Sequence, residues 1–179
     1  MRTIGVLEIF YPYPFVTYYT IRLEMNAQKE KMTETDKFYQ IYGDKKHSHF
    51  NEFDTIVSII DGIGNHEKGA EPCLFRFEDA AHALPSKGKE ADRVLEIEVV
   101  NDSELRLYCV RLSNEVVILL SGGIKTENQA LKCPNVKKHF RFAQVVANRI
   151  DELIRNRDII IAGKEIVNNT GEAEIIIYI

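Results

Sequence analysis

The stretch from Leu105 to Thr126, LRLYCVRLSNEVVILLSGGIKT, constrains the fold of this chain more than any other. Apolar and polar residues nearly alternate from Leu105 to Leu112, which is the period of a strand with one face in the core. Val116 to Leu120 is apolar without a break and β-branched at its start, so this second strand is expected to be covered on both faces. Ser113-Asn114 between them suits a two-residue turn, because Asn tolerates positive φ. Such a turn pairs Leu112 with Glu115 and places Arg106 opposite Ser121. Gly122-Gly123 then sits at the hairpin mouth, with Lys125 emerging beside Arg106. Two cations next to a flexible diglycine invite a phosphate.

Around this hairpin the chain reads as one domain over residues 1–179, long enough to bury a sizeable core. Tyr18 to Glu24 predicts a strand. Thr33 reads as a helix N-cap, with Glu34 and Asp36 in the first turn and Phe38, Ile41 and Tyr42 at helical spacing up to Gly43. A second helix is expected from His49 to Ile63, with Phe50, Phe53, Ile56, Val57 and Ile60 as its apolar stripe and Gly62, Gly64 and Asn65 stopping it. Cys73 to Glu78 and Val94 to Val100 read as strands, with an exposed loop over Leu84 to Lys89.

Beyond the central hairpin, residues 128–134 read as an irregular connector. A long helix follows from Asn135 to Asn156, its buried stripe formed by Phe142, Val145, Val146, Ile150, Leu153 and Ile154. Asp158–Val167 and Glu174–Ile179 read as strands around Asn168–Gly171, a C-terminal hairpin. Residues 1–16 are apolar and aromatic, but Glu8, the following prolines and the lack of a small-residue cleavage site argue against a signal peptide. A leading strand, or an extension from an early start codon, are the two readings of that segment.

The formal net charge of −4 counts against a strong nonspecific nucleic-acid binder. Charge is distributed unevenly, however. From Lys125 to Arg157 there are eight Lys and Arg against three acids. Lys137, Lys138 and Arg141 of this segment are candidates for binding RNA or an acidic partner; alternatively they solvate a helix face. Cys73, Cys109 and Cys133 form no CxxC or Cys/His cluster, which argues for a reducing compartment and against a zinc site or disulfide frame. No apolar run approaches the length of a membrane span.

A ribonuclease working without metal needs a base for the ribose 2′-hydroxyl, an acid for the leaving oxygen, and fixed cations on the phosphate. Arg106 and Tyr108 share a strand face, Arg76 can reach that face from a neighbouring strand, and Lys125 closes the site. The plainer alternatives are a solvent-facing Arg106, a packing Tyr108 and a surface-paired Arg76. His82 is a candidate acid or base in a loop; His47 and His49 have weak metal-ligand spacing, so no metal and no cofactor is expected. No phosphate-binding Gly-rich loop ending in Lys-Ser/Thr and no Gly-x-Ser-x-Gly elbow occurs.

The Arg-bearing strand, the hydrophobic strand closing on Gly122-Gly123, and Lys125 after them resemble the RelE/HigB-like toxins of bacterial type II toxin–antitoxin systems. The resemblance spans Thr17 to Arg157 in element order and is motif-like over Leu105 to Thr126. It implies an α+β fold: an antiparallel or mixed sheet of four to five strands, two N-terminal helices packed on it, and a C-terminal basic helix. It further implies a cytoplasmic, metal-independent endoribonuclease acting on messenger RNA at the ribosome, and a helix-turn-helix antitoxin as protein partner. On this reading Lys125, Arg106, Tyr108 and Arg76 are catalytic, while Lys137, Lys138, Arg141, Gly122 and Gly123 bind RNA or partner. A catalytically silent module and a ParE-like topoisomerase inhibitor are the rival readings on the same scaffold.

Overall fold

The computed structural model describes residues 3–100 and 102–179. Its elements follow in the order β1 (Thr3–Pro12), β2 (Thr17–Met25), β3 (Gln28–Lys29), α1 (Glu34–Tyr42), α2 (Phe50–Asn65), β4 (Arg76–Glu78), β5 (Ala81–Leu84) and α3 (Glu90–Leu95). Then come β6 (Leu105–Arg111), β7 (Val116–Ile124), α4 (Pro134–Arg155), β8 (Ile159–Ala162), β9 (Glu165–Asn168) and β10 (Ile176–Tyr178). The fold is α+β. Its mixed sheet has eight strands, in the order β10-β1-β2-β7-β6-β5-β4 with β3 beside β2, rather than the four to five expected. β2 and β7 pair in parallel, Thr17 opposite Val116; the other ladders are antiparallel. A parallel pair cannot be joined by a tight turn, and the chain between β2 and β7 includes α1 and α2.

β7 is the strand with core on both sides. Val117 and Leu119 join Phe38, Ile56, Ile59 and Ile63 of α1 and α2 in one cluster. Val116, Ile118 and Leu120 join Val136, Phe140, Ala143 and Ile150 of α4 in the other. Period-2 alternation divides β6 the same way: Leu105, Leu107 and Cys109 face the first cluster, Tyr108 and Val110 the second. α1 starts as its sequence dictates. The Thr33 hydroxyl accepts from the Asp36 N–H (3.1 Å), and the Asp36 carboxylate accepts from the Thr33 N–H (3.0 Å), a reciprocal capping box.

The central hairpin departs from its predicted register. Leu112 and Ser113 both donate to the Val116 carbonyl, so the loop is longer than two residues. A bulge between Leu107 and Cys109 shifts the pairing once more, and Arg106 lies opposite Gly123, not Ser121. Gly122 and Gly123 are buried inside β7 rather than flexing at a hairpin mouth. A Cβ on Gly122 would fall 1.7 Å from the Arg106 carbonyl oxygen, and one on Gly123 would fall 2.8 Å from that of Asn135 at the start of α4. The diglycine is where a bulged neighbour and a helix end approach one strand.

Other expectations need correcting. Val94–Val100 is not a strand: Val94 and Leu95 end α3, Glu96 turns left-handed (φ 54°), and Val94, Leu95, Ile97 and Val99 pack against the α1/α2 cluster without a ladder. The neighbour of β6 is instead β5, in a stretch read as loop. Of Cys73–Glu78 only Arg76–Glu78 is strand. Gly62 and Gly64 lie within α2, the latter against the Tyr13 ring. On α4 the buried residues are Val136, Phe140, Ala143, Val146, Ala147 and Ile150, whereas Val145 is exposed. The C-terminal hairpin turns at Gly163-Lys164, pairing β8 with β9, while β10 adds to β1. β1 is the leading-strand alternative for residues 1–16; Met1 and Arg2 lie outside the described residues.

Gly122→Ala is expected to destabilise the protein by about 3 kcal/mol or more, since backbone rather than a yielding side chain meets the new methyl. An unchanged denaturant midpoint would show that the bulge relaxes freely.

His139 on α4 predicts a pH dependence. Burial, reinforced by the charges of Lys138 and Lys37, lowers its pKa from the usual 6.5 to about 4. Between these values the unfolded chain binds the proton and the folded one does not, so stability falls as pH falls through this window. Denaturation midpoints should drop from pH 7 to pH 5, and His139→Gln should flatten that slope; an equal slope in the variant would contradict the assignment.

Candidate functional site

Arg106 is the only arginine of β6 or β7 held inside the α4-side face, at 8% exposure. One guanidinium nitrogen donates to the Ser103 carbonyl and to that of Leu105 (2.9 Å). Its Nε is buried and has no hydrogen-bond partner among the described residues. Glu52 of α2 fixes the chain at this point: its carboxylate accepts from the Leu105 N–H (2.7 Å) and the Ser103 hydroxyl (2.8 Å).

The ladder brings Arg76 to the same face. Arg76 pairs with Ala83, and Ala83 with Tyr108, so the three side chains form one row across β4, β5 and β6. The small Ala83 between them is fully buried in the α4-side cluster. Arg76 Nε donates to the Pro85 carbonyl at 3.3 Å. Glu78, two residues on from Arg76, shares its face. Lys125 follows β7 and is tied by its backbone N–H to the Glu104 carbonyl (2.8 Å).

These elements enclose a cleft of about 580 Å³ into which Arg76, Lys87, Arg106, Lys125, Glu78 and Glu127 project or open, a size usual for ligand sites. Four cations face three carboxylates, Glu78, Asp79 and Glu127, along this lining. Burial lowers the pKa of Arg106, and Arg76 beside it lowers it further; Arg76 is likewise lowered by burial and partly compensated by Glu78. Guanidinium groups stay charged under such shifts. Two cations crowded in a partly desolvated wall are relieved by an anion between them.

Tyr108 is fully buried. Its ring packs edge-on against Phe140 of α4 at 6.0 Å, its hydroxyl has no partner among the described residues, and burial pushes its pKa far above 10. It lies beneath the surface and does not line the cleft. Lys137, Lys138 and Arg141 project from α4 outside the cleft. His82 lies on β5, where its Nδ1 accepts weakly from the Arg111 N–H (3.4 Å) and its ring faces Phe77, on the opposite side of the sheet. Burial and the Arg111 charge lower its pKa.

Sequence reasoning missed three contributors. Lys87 lies in a segment that reads as a loop on composition and carries no periodic signal. Glu78 stands two residues after Arg76, and the RFE alternation itself could have shown the shared face. Gln144 of α4 clamps the β4–β5 turn: it donates to the Glu78 carbonyl (2.7 Å) and accepts from the Ala80 N–H (2.8 Å). Only tertiary contact reveals that role. No family model, no curated protein and no solved structure matches this chain.

Gln144→Ala is expected to cost about 1–2 kcal/mol, the net worth of two hydrogen bonds, and to speed amide exchange at Ala80 selectively. Unchanged exchange there would remove Gln144 from the support of the cleft.

Proposed function

We propose that the chain is an RNA-cleaving toxin of the RelE/HigB type, the toxin half of a type II toxin–antitoxin pair, with its substrate phosphate held in the cleft between β4, β6 and the end of β7. The convergence of Arg76, Arg106 and Lys125 on one cleft, with Glu78 as its partly shielded carboxylate, carries this reading. The element order supports it too: β2, α1, α2, then the β5-β6-β7 meander and α4, with β2 parallel to β7. In this scheme Glu78 takes the proton of the ribose 2′-hydroxyl and the 2′ oxygen attacks phosphorus. Arg76, Arg106 and Lys125 hold the charge that builds on the phosphate, and the 5′ oxygen leaves with a proton from the solvent-open side. The scheme assigns charge neutralisation to these side chains and routes no step through a metal. Lys137, Lys138 and Arg141 offer a basic helix face to ribosomal RNA or to an acidic segment of the helix-turn-helix antitoxin.

The sealed Tyr108, which leaves the cleft without an exposed phenol acid, favours one alternative: a module that binds RNA without cutting it. Both readings meet in one experiment. Single-stranded RNA incubated with the purified chain in EDTA is expected to yield 2′,3′-cyclic phosphate ends. Lys125→Ala should slow cleavage on the order of 10²–10³-fold, Glu78→Gln should abolish it, and both should relieve growth arrest on expression. RNA retention without cleavage selects the silent module. Cleavage that EDTA stops and magnesium restores overturns the cationic site.

A further inference from the structure

A second cavity, of about 410 Å³, adjoins the cleft and shares Arg76, Lys87 and Arg106 with it. Its outer wall comes from the described residues between β5 and β6: Pro85–Lys89, Asp92 of α3, Val99, Val100, Asp102 and Ser103. Antiparallel neighbours need only a short connection, so this long one is an added roof, docked through Val94, Leu95, Ile97 and Val99 onto the α1/α2 cluster. The cavity is lined by the cations Arg76, Lys87, Lys89 and Arg106 and by two carboxylates, Asp92 and Asp102.

Asp92 is the unusual member. Its Oδ1 is buried and has no hydrogen-bond partner among the described residues, although cations line the same cavity. A shielded carboxylate oxygen without a donor is costly unless a ligand supplies one. Arg106 contributes the complementary defect, a buried Nε without an acceptor. Both unsatisfied atoms belong to residues that line the cavity but are shielded as they stand, so a ligand meets them once the Asp92 and Arg106 side chains turn outward; the cationic side of the cavity opens onto the place assigned to phosphate.

We propose that this second cavity is a base-reading subsite selective for guanine, adjacent to the phosphate cleft; the assignment rests on the RNA reading above. Among the four bases only guanine offers two neighbouring donors on its Watson–Crick edge, N1–H and the exocyclic amine, which match the two oxygens of a carboxylate. Its O6 and N7 acceptors suit arginine and lysine. Adenine and cytosine present a single exocyclic amine, uracil a single N–H. The phosphate of the same nucleotide reaches Arg76, Lys87 and Arg106 on the shared wall.

Binding of the four ribonucleoside 5′-monophosphates to the full chain, by calorimetry in EDTA, tests this. Guanosine monophosphate is expected to bind about tenfold or more tighter than the others, the worth of one good bidentate base contact. Inosine monophosphate, which lacks the exocyclic amine, should lose most of that advantage. Asp92→Asn should level guanosine with adenosine monophosphate while leaving adenosine binding and the thermal midpoint within error. Equal affinity of the wild-type chain for all four nucleotides overturns the guanine subsite even where RNA binding and cleavage persist. A guanosine preference that survives Asp92→Asn also overturns it. If no nucleotide binds and single-stranded RNA is not retained, the RNA reading falls with it.

Discussion

The double burial of β7 governs the rest of the molecule. A strand with helices against both faces cannot carry a charged side chain along its length, and from Val116 to Gly123 it carries none. Polar chemistry is thereby displaced to where the helices stop covering it. Lys125 comes immediately after the strand, Arg106 lies on the adjoining β6, and Arg76 lies on β4 at the sheet edge. Phe140 of α4 borders the cleft, and its ring packs edge-on against Tyr108.

Gly122 and Gly123 serve the same geometry. The bulge in β6 falls just after Arg106, between Leu107 and Cys109, and the Arg106 carbonyl lies against Gly122. Bulges re-aim side chains, and here the residue re-aimed is the arginine that lines both cavities. Gly123 lets the first turn of α4 rest on β7, setting where the helix starts. Thus the diglycine, which reads from sequence as a flexible pair at a hairpin mouth, shapes the site by close packing within β7.

What the sequence disclosed followed from strong local physics. The two hydrophobic strands, the Thr33 cap and the α2 stripe each have a period or a reciprocal hydrogen bond that depends on a few adjacent residues. Lys125 beside Arg106 was legible because both ends of one hairpin must meet, whatever its register. The register itself was not, because it depends on a bulge and a loop whose cost is balanced by contacts from α2 and α4. The VLEIEVV segment shows the limit of alternation: the pattern states only that one side is apolar. Val94, Leu95, Ile97 and Val99 bury that side against the α1/α2 cluster without joining the ladder, while the short and weakly patterned AHAL takes the place beside β6.

That exchange of partners has a consequence for chemistry. Had Val94–Val100 paired with β6, its larger side chains would have to fit where Ala83 now packs, between Arg76 and Tyr108 on the α4 side. The weak strand β5 instead puts alanine in the middle of the row. The stronger segment, freed from the sheet, becomes the roof of the second cavity and brings Asp92 to its wall. A chain that spends its better β-former on a roof gains a polar enclosure at the sheet edge, where an exposed β4 alone would present Arg76 to water and leave it screened. Burial keeps the few charges of this otherwise acidic protein effective: a cation in a half-desolvated wall attracts an anion far more strongly than one in solvent.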